Sequence, residues 1–239
     1  MKLNITLPCY NEERILKSNI LRVFNFLKEN VASDDWQIII ANNQSTDKTG
    51  QIGEELEKKF ESIKHLEIFQ KGKGVAIRES WQRFPADIYI FMDTDLATDL
   101  EALPRLIRAV KEEKFNVAIG SRFHPQSKVK RKLVRKIISF SYNLLRKILI
   151  GSKITDAPCG FKAVDKKIIQ NILPQVKDEQ WFFDSELVIL AEKGGYKIKE
   201  IPIKWEDIRE KEDKSKVNTI SLSLDYFKKL IKLKKRLKK

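Results

Sequence analysis

An unbroken apolar run, Ile88-Tyr89-Ile90-Phe91-Met92, ends in Asp93-Thr94-Asp95. On a regular strand, carboxylates at i and i+2 project to one face. Two anions that close repel unless a cation lies between them. Hard oxygen ligands of this kind suit Mg2+ or Mn2+ held jointly with a diphosphate. Asp-x-Asp also occurs in solvated acidic turns, and its place directly after an apolar strand is what singles it out. Lys71-Gly72-Lys73-Gly74 lacks the spacing of a Walker A loop, yet a cationic loop before a helix N-terminus suits phosphate. Gly120-Ser121-Arg122 joins a residue that lets backbone approach a ligand to a guanidinium able to grip phosphate through two bonds. Asn42 and Asn43 carry amides that could read a base or a ribose edge, and the Ser45-Thr46-Asp47 that follows is N-cap chemistry. In Pro8-Cys9-Tyr10-Asn11-Glu12-Glu13, the proline stops a ladder and leaves Tyr10 and Glu12 at the strand end. His65 and His124 share no spacing with the aspartates and read as a strand-start and a loop residue.

All of these candidates follow short β-rich runs. Strands are expected at Leu3–Leu7, Gln37–Ala41, Leu66–Phe69, Ile88–Met92 and Val117–Gly120, with helices near Glu12–Glu29, Thr46–Phe60, Gly74–Gln82 and Leu100–Glu112. Strand-helix alternation predicts an α/β, mostly parallel sheet with helices on both faces, and such sheets bind ligands at the carboxyl ends of their strands. After Gly120 the alternation breaks. A basic helical segment, the turn-like Thr155–Gly160, helices near Lys166–Ile172 and Ser185–Lys193, and a strand near Lys197–Trp205 are expected in turn. Arg209–Lys216 is charged, lacks periodicity and reads as a mobile loop.

With 239 residues the chain is long enough for one large domain or two small ones. Two cysteines, Cys9 and Cys159, cannot build a disulfide framework or a zinc site alone, so a reduced, intracellular setting is the economical expectation. The N-terminus turns polar by Asn11–Arg14, too early for a signal peptide, and no segment approaches the roughly 20 apolar residues of a membrane span. The net charge of +14 is unevenly placed. Arg122–Thr155 and Tyr226–Lys239 hold ten and eight bases with no acid, which leaves the remaining chain mildly acidic. Both segments also carry apolar residues at helical spacing, a pattern suited to an anionic membrane surface, or to packing on the body with the lysines outside. Nucleic acid is disfavoured as a partner, since no recognised binding pattern is present.

Taken in order, Pro-x-Tyr-Asn-Glu-Glu, Ser-Thr-Asp, Gly-Lys-Gly, Asp-x-Asp and Gly-Ser-Arg resemble the family 2 glycosyltransferases of the Rossmann-like GT-A fold. Thr155-Asp156-Ala157-Pro158-Cys159-Gly160-Phe161-Lys162, Trp181–Leu187 and Glu200–Trp205 are similar to the dolichyl-phosphate sugar synthases, and closer to their glucosyl than their mannosyl branch. The resemblance implies a GT-A domain over residues 1–216 with a basic amphipathic C-terminal helix over 217–239. By position it implies that Pro8, Tyr10, Glu12, Asn42, Asn43, Lys73, Arg78 and Asp93 bind the nucleotide-sugar. Asp93 and Asp95 would hold Mg2+ or Mn2+. Arg122, Arg131, Arg209, Ser215 and Lys216 would bind the acceptor phosphate, and Asp95, Asp184 and Arg122 would serve the transfer itself. Where the family usually has Asp-Asp this chain has Asn42-Asn43, and where archaeal mannosyl relatives place a metal-contacting glutamine it has Ala97.

The implied activity is inverting transfer of a hexose, glucose before mannose, from a UDP- or GDP-hexose to a polyprenyl or dolichyl phosphate. A phosphomonoester is already anionic at neutral pH and needs no strong general base. The implied setting is peripheral, on the cytoplasmic face of a membrane, with docking through the basic segments or a membrane-anchoring partner protein. Two other readings stand beside it. A sugar or protein hydroxyl acceptor would need a base, for which Asp184 or Glu186 are the candidates. A non-catalytic basic module binding lipid or nucleic acid would not need the aspartates at all.

Overall fold

The computed structural model describes residues 1–31, 35–130, 133–206 and 219–238. The strands are β1 (Lys2–Cys9), β2 (Asp35–Asn43), β3 (Ile63–Ile68), β4 (Ile88–Met92), β5 (Val117–Ser121), β6 (Lys128–Lys130), β7 (Phe161–Asp165), β8 (Ile198–Pro202) and β9 (Lys204–Glu206). The helices are α1 (Leu16–Asn30), α2 (Thr49–Lys59), α3 (Lys73–Arg83), α4 (Leu103–Lys111), α5 (Leu133–Ile150), α6 (Lys166–Asn171), α7 (Phe183–Lys193) and α8 (Thr219–Leu237).

Seven strands form one sheet in the order β3-β2-β1-β4-β7-β5-β8. The pairs β1–β2, β1–β4, β2–β3 and β5–β8 are parallel. Their apolar runs are buried on both faces, as a sheet covered by crossover helices requires. The five strands expected from β-rich runs are β1 to β5, with β3 beginning earlier, at Ile63. β7 was not expected. It enters antiparallel between β4 and β5, so the late chain is stitched into the centre of the sheet. Five residues with a lysine in second place give little strand signal.

The single strand expected at Lys197–Trp205 is two. Pro202 ends β8, the Ile203 amide donates to Ser127 Oγ at 3.0 Å, and β9 pairs with β6 in a separate two-stranded sheet. α1 starts at Leu16 rather than Glu12, because the Glu12 carbonyl accepts from the amides of both Ile15 and Leu16 in a turn.

Trp81 anchors the core under β4, edge-on to Tyr89 and Phe183 and tilted on Phe91. Leu230 and Leu233 of α8 are wholly buried in that same core, and Tyr226 is edge-on to both Tyr142 and Phe182. The basic C-terminal helix therefore shares the body's core through its apolar face. α5 also packs Tyr142, Leu145 and Leu149 against this core, but a second row, Phe140, Leu144 and Ile148, four residues apart, is 64, 49 and 70% exposed. None of the described helices is long and apolar enough to cross a membrane.

Candidate active site

β4 delivers Asp93, Thr94 and Asp95 to the carboxyl edge of the sheet. Thr94 turns inward: its hydroxyl donates to the Pro8 carbonyl at 2.9 Å, and its own carbonyl accepts from Asn19 Nδ2 at 2.9 Å. Asp93 and Asp95 are both half-buried, and Asp95 Oδ1 accepts from the Ala97 amide at 3.1 Å. Behind Asp93 lies Gly160, whose carbonyl accepts the Asp93 amide at 3.1 Å. A Cβ on Gly160 would lie 2.1 Å from Asp93 Oδ2, so only glycine lets this carboxylate settle here.

Lys73, the first residue of α3, places Nζ 2.9 Å from Asp93 Oδ1 and 2.8 Å from Asp184 Oδ2. Burial pushes the Lys73 ammonium down, but Asp184 and Asp93 outweigh it and hold the group well above the usual lysine range. Gly72 fixes the loop that carries it. At φ +153° it sits where a Cβ would strike the Glu179 carbonyl oxygen at 2.1 Å. Asp184 lies within the first turn of α7 and does not cap it; its carboxylate is drawn to Lys73. Burial is the largest influence on the Asp184 carboxyl and raises it, opposed by Lys73 and Lys162.

Arg122 leaves β5 and meets Asp156. Its Nε and Nη2 donate to the two Asp156 oxygens at 2.7 Å each, and its amide donates to Oδ2 at 2.8 Å. Its guanidinium also lies 5.6 Å from the centre of the Trp205 ring. Glu200 Oε1 accepts from the amides of Thr155 and Asp156 and holds this turn from β8.

The structure brings Lys73, Asp93, Asp95, Asp184 and Arg122 to one edge, and sets other candidates apart. Asn43 clamps the loop before α3, donating to the Gln70 carbonyl at 2.7 Å and accepting from the Gly72 amide at 2.6 Å. Asn42 donates to Glu67 Oε2 at 2.6 Å. Both amides are buried. Arg78 braces the stretch before α7, donating to the carbonyls of Leu173 and Val176 at 2.9 and 2.7 Å. Pro8, Tyr10 and Glu12 line the adjoining strand end, with Lys71 Nζ 4.8 Å from the Tyr10 ring centre. Arg131, Arg209, Ser215 and Lys216 lie outside the described residues. Glu186, a candidate base, is buried and accepts from the amides of Lys177 and Asp178 and from Arg236, so it anchors a loop and α8.

Sequence reasoning missed three participants. Asp156 and Gly160 lay inside a quoted motif with no role attached. Lys162 is wholly buried on β7, donates to the Cys159 carbonyl and faces the Phe91 ring at 5.2 Å. The segment gives little strand signal, so nothing local set this lysine apart from a surface one.

The Glycosyl transferase family 2 model matches residues 5–173. The chain belongs to this family. Among its members, the dolichyl-phosphate beta-glucosyltransferase of Saccharomyces cerevisiae is 30% identical over 242 residues, covering 93% of this chain and 72% of that protein. Glycosyltransferase AglD of Haloferax volcanii is 29% identical over 207 residues, covering 86% of this chain but 33% of the relative. The chain thus spans only part of the length of these relatives. In three dimensions it matches glucosyl-3-phosphoglycerate synthase from Mycobacterium tuberculosis, solved with Mn2+, UDP and phosphoglyceric acid. That match has a TM-score of 0.68 at 15% identity and covers 98% of this chain and 78% of the other. The fold is the GT-A type expected, and the protein is a family 2 glycosyltransferase.

Whether this member's residues suit a divalent cation can be judged from the site itself. The position beside Asp93 already accommodates a cationic group, the Lys73 ammonium. The two aspartates offer hard oxygens, and no cluster of three ligating side chains occurs among the described residues. A cation here would draw further oxygens from a diphosphate, the usual arrangement for Mg2+. The residues fit the group.

Proposed function

We propose that the protein transfers a hexose, glucose before mannose, from a UDP- or GDP-hexose to a polyprenyl or dolichyl phosphate, with inversion at the anomeric carbon. One observation carries the choice of a lipid acceptor. An open, apolar-lined groove of about 440 Å3 runs past Phe123, Phe140, Leu144 and Ile154, beginning one residue from Arg122. A phosphate held at Arg122 could lay an isoprenoid chain there. The names of the glucosyltransferase relatives agree with this reading.

In this reading Asp93 and Asp95 would hold Mg2+ or Mn2+, and the ion would supply charge neutralisation for a diphosphate leaving group. Pro8, Tyr10 and Glu12 flank the nucleotide. Asn43 and Arg78 shape that side by fixing loops, and Asn42 by tying β2 to Glu67 of β3. The Arg122 edge turned away from Asp156 takes the acceptor phosphate, and Arg131, Arg209, Ser215 and Lys216 are assigned to the same phosphate by the family resemblance alone. Asp184, bound to Lys73, faces the sugar. The acceptor phosphate is its own nucleophile, so the chain's task is to align two anionic partners. A hydroxyl acceptor is less well served: Glu186 is committed to its loop and Asp184 to an ammonium.

The exposed Phe140, Leu144 and Ile148, with Lys147 and Lys153 exposed beside them, support peripheral docking on an anionic membrane at its cytoplasmic face, alone or with an anchoring partner.

The test is a donor screen with purified protein, Mn2+ or Mg2+, and a short polyprenyl phosphate. Radiolabel from UDP-glucose is expected in the organic phase as a mild-acid-labile product. Asp93→Asn or Asp95→Asn should lower its formation by about 100-fold or more. Label confined to water-soluble product would overturn the lipid acceptor, and unchanged transfer by both variants would overturn the cation site.

A further inference from the structure

Four charged side chains alternate in sign across the floor of the site: Asp93, Lys73, Asp184 and Lys162. Lys73 bridges the two carboxylates, its side chain only 8% exposed, with the Phe91 and Trp181 ring centres 5.3 and 5.5 Å from Nζ. The two carboxylates differ. Asp93 is 41% exposed and Asp184 3%. Among the described residues, Asp184 keeps one buried oxygen, Oδ1, without a hydrogen-bond partner. Lys162 has three N–H donors and, among the described residues, one acceptor, the Cys159 carbonyl. Burial pushes the Lys162 ammonium down on balance, and Asp184 is the strongest influence opposing that. A spare acceptor and spare donors of opposite charge thus sit in the same buried floor.

A divalent cation coordinated by Asp93 would lie close to the Lys73 ammonium, and the two positive groups would repel, the more so because the Lys73 side chain is screened from water. The backbone of Lys73 cannot retreat, because Gly72 and Gly74 are pressed on the backbone of Asp178 and Glu179. The long side chain can move. We propose that Lys73 is a resident counter-ion of the donor site: it neutralises Asp93 and Asp184 in the empty enzyme and gives up Asp93 when a divalent cation enters with a nucleoside diphosphate, leaving Lys162 to neutralise Asp184. The diphosphate offers the displaced ammonium a new partner, so cation and nucleotide bind as a coupled pair. Cation without nucleotide competes against a built-in positive charge. By linkage the coupling is reciprocal. The inference rests on the cation reading of Asp93 and Asp95 given above, and Lys162 enters it as a positioning residue.

The test measures Mn2+ binding by electron paramagnetic resonance, with and without UDP or GDP, on wild type, Lys73→Met and Lys162→Met, each checked for folding by circular dichroism. In wild type, nucleotide is expected to tighten Mn2+ binding at least tenfold. Lys73→Met should tighten nucleotide-free Mn2+ binding at least tenfold and reduce the nucleotide effect to threefold or less. Lys162→Met should act oppositely, weakening Mn2+ binding severalfold in the presence of nucleotide, because Asp184 then keeps Lys73. A folded Lys73→Met protein whose nucleotide-free Mn2+ affinity is unchanged or weaker overturns the inference alone. If Lys73→Met does not fold, Lys162→Met decides, and Mn2+ affinity that is unchanged or tighter there overturns it. Wild type that binds no Mn2+ under any condition removes the cation reading and this inference together.

Discussion

Arg122 and Asp156 form a closed charge pair: two guanidinium nitrogens and the Arg122 amide converge on one carboxylate that is wholly buried. Burial pushes the guanidinium down, but Asp156 outweighs it and the net shift is upward. The pair sets the direction in which Arg122 faces the site. Removing the carboxylate would strand a cation that is itself only 13% exposed. Breaking a buried pair from one side costs about 3–5 kcal/mol. Asp156→Asn is therefore expected to lower unfolding free energy by that order in urea titrations, and to raise the KM for the lipid phosphate more than that for the donor.

Gly160→Ala tests the seat of Asp93. The added methyl would overlap Asp93 Oδ2, so the carboxylate must swing away. Misplacement of a reacting group by about 1 Å can cost about 100-fold in rate. Transfer should fall by about that factor while circular dichroism stays native. A variant with wild-type transfer would show that the Asp93 position is not critical.

Both thiols are silent in the native state. Burial pushes Cys9 and Cys159 up to about 12. In the unfolded chain a thiol ionises near about 8.5. Above that pH the unfolded state releases protons that the folded state keeps, so stability falls as pH rises. The slope is about 1.4 kcal/mol per pH unit for each thiol, between pH 8.5 and the folded value. Unfolding titrations from pH 8 to 10 should show this decline, and Cys9→Ala or Cys159→Ala should roughly halve the slope. Native protein should resist thiol reagents at pH 8.

Leu230→Ala asks whether α8 belongs to the body. Leu230 is wholly buried, and Arg236 of the same helix reaches Glu186 and the Gln175 carbonyl. Emptying a buried leucine site costs about 2–5 kcal/mol. A single cooperative transition shifted downward is expected; an unchanged midpoint would mean that the helix is an appendage.

The sequence by itself determined the parallel half of the sheet and the residues at its edge. Apolar runs ending near Pro8, Asn42, Asp93 and Gly120 are local signals, written within a few residues of where they act, although Pro8 does not stop the ladder as expected: β1 runs on to Cys9, which pairs with Asn42. The ordered motifs were enough to indicate the family and its fold. What the sequence could not decide is how distant segments complete one another. β7 slots antiparallel beside Asp93's strand, Lys73 meets Asp184 across 111 positions, and Arg122 meets Asp156 across 34. Asn43 and Arg78 serve loops rather than open space, and α8 buries its apolar face in the common core. Which charge pairs with which, and which polar group is committed to backbone, depends on burial and on partners far along the chain. No local pattern encodes that; it follows only once packing has closed around these groups and taken water away from them.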